Sequence, residues 1–384
     1  MQKIYQKIET RQRITSDEAL TLALEGNFLT LGRLAQDISR ERNGNKIAFL
    51  IDRNINYTNV CTARCNFCAF YRPHNHKASY DLSFDEIDQK IKETLEMGGG
   101  RILMQGGLHP EHTIETYVNL VSHIKKNHPI HIHAFSPPEI HHVSTKAHLS
   151  YVDTMKQLKD AGLGSMPGGG AEILVDAVRE KIMTGKCMTK QWLGVMEATH
   201  QAGLKSTATM MMGHIESWKD RIQHLHELRN LQDKTSGFLS FIPWTFQPEN
   251  TPMHPNIQRN KEVKLASAHE YLRLLALSRI YLDNFEHIQV SLLTQGLKVA
   301  QLGLRFGADD LGSLLIEENV VRMAGCEQEL NLQKDKMIQI IRESQLTPFE
   351  RDTFYNEINP SETLQKPRVV TQNHLSPNFL SSID

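Results

Sequence analysis

The stretch "KIAFLIDRNINYTNVCTARCNFCAFY", residues 46–71, joins a strand signal to a cysteine cluster. Its first part, "KIAFLID" (46–52), has the apolar, β-branched character of a strand buried on both faces, as parallel strands are. Its last part holds Cys61, Cys65 and Cys68 in the spacing C-x3-C-x2-C. Three of the chain's five cysteines therefore lie within eight residues, while Cys187 and Cys326 stand apart and read as ordinary thiols.

Seven further segments share the character of 46–52: "RILMQ" (101–105), "IHIHAF" (130–135), "GLGSM" (162–166), "KSTATMMM" (205–212), "FLSFIPW" (238–244), "HIQVSLL" (287–293) and "LGLRF" (302–306). Helical periods alternate with them. "SFDEIDQKIKETLEMGG" opens on a Ser83…Glu86 capping box and stops at Gly98. "ESWKDRIQHLHELRNLQ" and "KEVKLASAHEYLRLLALSRIYL" space their apolar residues three and four apart. Eight strands alternating with helices predict an α/β fold, a (β/α)8 TIM-type barrel over residues 46–358; an open doubly wound sheet is the alternative. Residues 1–45 read as an N-terminal helical extension, with "ITSDEALTLALEG" capped by Thr15 or Ser16. Residues 359–384, rich in Ser and Pro, read as a loose C-terminal tail.

Of the 384 residues, 40 % are hydrophobic and 23 % charged, a globular composition. Lys+Arg (43) and Asp+Glu (44) cancel, which argues against nucleic acid or an acidic membrane as partner. No apolar run is long enough to span a bilayer, and "MQKIYQKIETRQRI" lacks the core of a signal peptide. With few cysteines and an odd number of them, a cytosolic protein without a disulfide framework is expected.

Three thiolates gathered in the first βα loop, on the face where barrels of this kind carry their active sites, call for a cation. A structural zinc wants a fourth protein ligand, for which His74 or His76 would serve. A [4Fe–4S] cluster fits otherwise: three cysteines hold three irons and one iron stays open. Such an iron can bind the amino and carboxylate groups of S-adenosylmethionine, and the cluster can then cleave the sulfonium to methionine and a 5′-deoxyadenosyl radical. Phe67 would set an apolar face beside the adenine.

The motif, with an aromatic residue before its third cysteine, resembles the radical S-adenosylmethionine superfamily. The likeness extends over about residues 40–360. "GGLHP", "HIHAFSPPEI", "PGGGAEIL", "ATMMMGHIES", "FIPWTFQPENT" and "LRFGADDLGSLLIEENVV" are similar to the cyclic dehypoxanthine futalosine synthases of menaquinone biosynthesis. "SPPEI" and "FIPWTFQP", with Trp244 where leucine is usual, set the chain apart from the sibling aminofutalosine synthases and F0-forming enzymes. It departs from the family in "LQDKTSGF", where Ser236 stands in place of a usual glycine.

The resemblance implies a radical cyclisation: hydrogen abstraction from the sugar C4′ of dehypoxanthine futalosine, attack on its benzoate ring, then loss of an electron and a proton. It implies one [4Fe–4S] cluster on Cys61, Cys65 and Cys68, S-adenosylmethionine as co-substrate, and a low-potential donor of the flavodoxin or ferredoxin type. Gly106 and Gly107 would admit the amino end of S-adenosylmethionine, an ordinary βα turn being the other reading. The glycines 168–170 would open the helix "AEILVDAVREKI", on which Glu172 and Arg179 share a face. By resemblance Glu172 would reach the nucleoside and Arg179 the methionyl carboxylate; a solvated charge pair is the alternative. Ser136 and Glu139 would touch substrate. His214 and Glu216, after the fifth strand, are either the proton-accepting base and its partner or a pair that supports the barrel mouth. His131 and His133 share a strand face as a metal pair or as ordinary packing, and stay outside the expected site. The different-class alternative is a zinc- or iron–sulfur-stapled barrel without S-adenosylmethionine chemistry.

Overall fold

The computed structural model of the chain describes residues 1–256, 258–326 and 333–358. Eight strands form the barrel wall: β1 (Lys46–Ile55), β2 (Arg101–Met104), β3 (His131–Ala134), β4 (Ser165–Met166), β5 (Lys205–Met212), β6 (Phe238–Thr245), β7 (His287–Ile288) and β8 (Asp310–Leu315). They pair in parallel in this order, and β8 returns to β1 through Ala48↔Asp310 and Leu50↔Ser313. Between β7 and β8 the contact narrows to the bridge Gln289↔Asp310, with Asp309 N donating to Ile288 O and Val290 N to Asp310 O. The ring is closed, and this seam is its thinnest.

Alternation along the strands explains what fills it. On β1, Ile47, Phe49, Ile51 and Ile55 pack in the apolar layer beneath the helices, whereas Asp52 and Asn54 face the interior. Likewise β2 turns Arg101 and Leu103 inward and Ile102 and Met104 outward. β5 turns Thr207, Thr209 and Met211 inward and Ala208, Met210 and Met212 outward. These inward-facing side chains leave a cavity of about 430 Å³ inside the barrel instead of a packed core.

A strand the sequence did not suggest seals the lower end. β9 (Thr347–Arg351) lies parallel to the first half of β1 and turns back through β10 (Glu357–Ile358). Arg351, Thr353 and Tyr355 thereby reach the cavity from below; Arg351 and Tyr355 both bond Asp310 Oδ2, at 2.6 Å each.

Three expectations are corrected. "LGLRF" (302–306) is not the eighth strand: it ends the helix Leu292–Gly303 and turns, and residues 310–315 take that place. "HIQVSLL" is strand only at 287–288, because the helix begins at Leu292. The helix after the three glycines begins at Asp176, not Ala171. The N-terminal region forms the helices Gln2–Glu9, Ser16–Glu25 and Phe28–Asn43; the second is capped by Thr15 in a capping box with Glu18. Ser236 closes the helix Trp218–Thr235 at φ +47°, a left-handed position that explains why glycine is usual there. No helix among the described residues is long and apolar enough to cross a membrane. The expected tail, 359–384, lies outside the described residues.

Candidate active site

The cysteine loop closes over the C-terminal mouth of the barrel, and Cys61, Cys65 and Cys68 all line the cavity. Cys61 N donates to Arg72 O and Arg72 N to Asn59 O, so the segment after the third cysteine folds back on the first. Arg64–Cys65 pairs antiparallel with Met183–Thr184, which ties the loop to the region after β4. None of the cysteines is in a disulfide. Cys61 Sγ accepts the N–H of Leu108 at 3.3 Å. Burial pushes the Cys65 thiol up to about 12, with Lys186 opposing that shift.

Such thiols ionise only beside a strong positive partner, so the donor set suits a metal centre. Among the described residues, the ligand triplets that converge within 4.8 Å are built from His74, Asp81, His109, Glu111 and His112, and not from the cysteines. A single zinc with bonds of about 2.3 Å draws its sulfurs to within roughly 4 Å of one another. The wider cysteine triangle fits a polynuclear iron–sulfur cluster.

Gly106 and Gly107 follow β2 and line the cavity. A Cβ on Gly107 would stand 2.2 Å from Val60 O, and one on Gly106 would stand 2.6 Å from the Tyr57 ring. Glycine at both positions lets the second loop press against the cysteine loop.

Ser136 and Glu139 sit together beneath that contact. Phe135, at φ +63° with its ring stacked on Tyr117 at 4.3 Å, swings the chain off β3. Pro137 and Pro138 then open the helix Pro137–Ala147. Ser136 Oγ donates to Glu139 Oε2 at 2.5 Å, and Tyr57 Oη and Gly106 N donate to Oε1 at 2.6 and 3.0 Å. Desolvation raises this carboxyl to about 7 despite the three donors.

Glu172 lines the cavity from a loop, at φ +38°, and pairs with Lys186 at 2.7 Å. Arg179 does not share a face with it. Its buried guanidinium donates to the carbonyls of Gly170, Ala171, Ile173 and Cys187, and it lies outside the cavity wall. Helix geometry misled here because Glu172 precedes the helix by four residues. The cation on the cavity wall beside Glu172 is Lys186, a residue sequence reasoning missed. Its Nζ lies 5.4 Å from the centre of the cavity-lining Phe67 ring. The only local signal was a lone lysine after Gly185, which turns the chain at φ +75°.

His214 and Glu216 also lie outside the cavity wall. Both side chains are fully buried; Glu216 accepts from Gly213 N, His214 N and the Arg221 Nε, and sits 3.1 Å from His214 Nδ1. They brace the end of β5. Also missed were Asn54, whose buried Oδ1 has no partner among the described residues, and Tyr57, which donates to Glu139.

Residues 55–228 match the Radical SAM superfamily, and residues 235–364 match the CofH/MqnC C-terminal region. The chain is 40 % identical to the cyclic dehypoxanthine futalosine synthase of Halalkalibacterium halodurans, over 94 % of this chain and 95 % of that one. It is 39 % identical to the enzyme of the same name from Streptomyces coelicolor, over 98 % and 94 %. Against the aminodeoxyfutalosine synthase of Thermus thermophilus the identity is 36 %, over 92 % and 95 %. Its cysteine-capped barrel and this kinship make the chain a member of the radical S-adenosylmethionine superfamily, in the branch that carries the CofH/MqnC C-terminal region.

Proposed function

We propose that the protein converts dehypoxanthine futalosine to its cyclic product, a cytoplasmic step in menaquinone biosynthesis. The observation that carries the reading is the three-cysteine mouth over the barrel's cavity, in a chain whose nearest kin by identity among those above bear this activity in their names. Cys61, Cys65 and Cys68 would hold a [4Fe–4S] cluster, fed by a flavodoxin- or ferredoxin-type donor. With S-adenosylmethionine bound, that centre supplies a 5′-deoxyadenosyl radical able to take hydrogen from the sugar C4′.

The chain's own residues bind, orient and shield. Lys186 offers its ammonium to the methionyl carboxylate in place of Arg179, which lies outside the cavity wall. Glu172 lies beside it for a nucleoside hydroxyl, and Phe67 presents an apolar face at the same wall. Glu139 and Ser136 face the cavity below Gly106, where an amino or hydroxyl donor would complete their hydrogen bonds. Asn54 Oδ1 awaits a donor from the substrate. Met211, Ile242, Trp244 and Phe246 form an apolar wall against which an aryl ring packs and from which water is excluded.

The test is anaerobic turnover of the reconstituted protein with dehypoxanthine futalosine and, separately, with the substrates of the sibling enzymes. Cyclic product from dehypoxanthine futalosine alone supports the assignment. Turnover only of a sibling substrate would replace it.

A further inference from the structure

β3 and β4 carry a chain of hydrogen-bonding groups that leads out of the cavity through the barrel interior, away from the cysteines. His133 lines the cavity, and its Nδ1 lies 2.7 Å from Ser165 Oγ on the neighbouring strand. The same hydroxyl lies 2.7 Å from His131 Nε2. A serine oxygen can accept from one ring while donating its own hydrogen to the other, so the three groups form one continuous line. At the inner end His133 Nε2 has no partner among the described residues and is open to the cavity. At the outer end His131 is half-buried beside the exposed ring of Phe354, 5.4 Å away, near the turn that follows β9. The sequence makes room for this ring: a Cβ on Gly164 would stand 2.5 Å from His131 Cε1.

We infer that His133, Ser165 and His131 form a proton exit, taking the proton that the substrate ring loses when it regains aromaticity and passing it to solvent at the lower mouth. This rests on the cyclisation proposed above. The ring C–H bond breaks; one electron goes to the oxidised iron–sulfur centre, the reaction's one-electron acceptor, and the proton goes to His133 Nε2. His133 Nδ1–H then passes to Ser165, the serine hydrogen to His131 Nε2, and His131 Nδ1–H to water. One proton enters and one leaves.

The surroundings suit transfer rather than storage. Burial, then Arg101, His131 and Arg351, hold His133 well below the usual imidazole range, so it stands neutral with a lone pair available. Burial and Arg101 lower His131 to about 4, with Lys125 also lowering it and Asp352 acting against them. Weak bases suffice because a cyclised ring that must shed one proton to regain aromaticity is itself a strong acid. Neither His214 nor Glu216 reaches the cavity to compete for this role.

The test measures cyclic product and 5′-deoxyadenosine together in the reconstituted holoenzyme and in Ser165→Ala and His131→Gly. Wild type lacking both products would refute the cyclase reading itself, and the exit with it. With wild type active, the exit predicts that product per deoxyadenosine falls at least about tenfold in each variant, short of the roughly 10²–10⁴ that loss of a general base itself costs. It also predicts that imidazole, which fits the space left in His131→Gly, restores the ratio. His131→Gly is the second arm should Ser165→Ala fail to fold, because its side chain is half-exposed. An unchanged ratio, a parallel fall of both products, or no response of His131→Gly to imidazole would overturn the proposal.

Discussion

Lys186 Nζ donates to Glu172 Oε1 at 2.7 Å, and both side chains lie in the cavity wall beside the cysteine loop. Burial alone would lower the ammonium, but Glu172 and the Cys65 thiol outweigh it and keep Lys186 charged. A fixed cation at the mouth of the cavity is suited to receive a carboxylate.

Lys186→Met is therefore expected to weaken S-adenosylmethionine binding about 10- to 100-fold, the worth of a charged hydrogen bond in a dry site. Anaerobic binding titration measures it. Arg179→Met should behave differently. Four carbonyls lose their donor, so the variant loses on the order of 3 kcal/mol of stability, while S-adenosylmethionine affinity in the folded fraction stays near wild type. A loss of affinity confined to Arg179→Met would reverse the assignment.

Glu139 makes stability depend on pH. Desolvation lifts its carboxyl from 4.5 to about 7, so between these values the unfolded chain has released a proton that the native state still holds. Its contribution is fully present below 4.5 and is lost as pH rises through 7. The shift corresponds to on the order of 3 kcal/mol. Unfolding midpoints of wild type and Glu139→Gln should diverge across this window, with the variant gaining relative stability toward neutral pH. Parallel profiles would show that Glu139 is not raised.

His214→Gln should retain product formation within about fivefold, because the imidazole lies behind the wall. A general base would cost about 10²–10⁴. Glu216→Ala, by contrast, leaves the buried Arg221 guanidinium with Glu270 alone and should lower the unfolding midpoint markedly. Rate measurement on His214→Gln and thermal unfolding of Glu216→Ala separate support from catalysis.

Replacing Cys61, Cys65 or Cys68 by Ala should each reduce bound iron well below the expected value of about four per chain and abolish deoxyadenosine formation. Cys187→Ala, a buried thiol outside the cavity wall, should keep its iron. Full iron content in any of the first three variants would remove that cysteine from the ligand set.

Much of the barrel was legible because seven of its strands carry a local signal. The eighth was not: "LGLRF" is as apolar as a strand, while "DLGSLL" hides behind Asp310 and a left-handed Gly312, whose roles appear only in the closed ring. β9 was missed because its register depends on the start of β1, 300 residues earlier, and β10 because it pairs only with β9. Loop positions adjacent to a motif, such as Cys61, Gly107 and Glu139, do line the cavity. Orientation was not legible in the sequence. Arg179 and His214 lie outside the cavity wall, and Lys186, which lines it, has no motif beyond its glycine. His131 and His133 alternate visibly in the sequence, but Ser165, which joins them, comes from another strand.

The central claim is that this barrel turns three cysteines and S-adenosylmethionine upon dehypoxanthine futalosine. Its most direct test is anaerobic incubation of the reconstituted protein with S-adenosylmethionine, a low-potential reductant and that substrate, followed by analysis of the nucleoside products. The account predicts 5′-deoxyadenosine together with cyclic dehypoxanthine futalosine. An intact cluster that yields neither would contradict it.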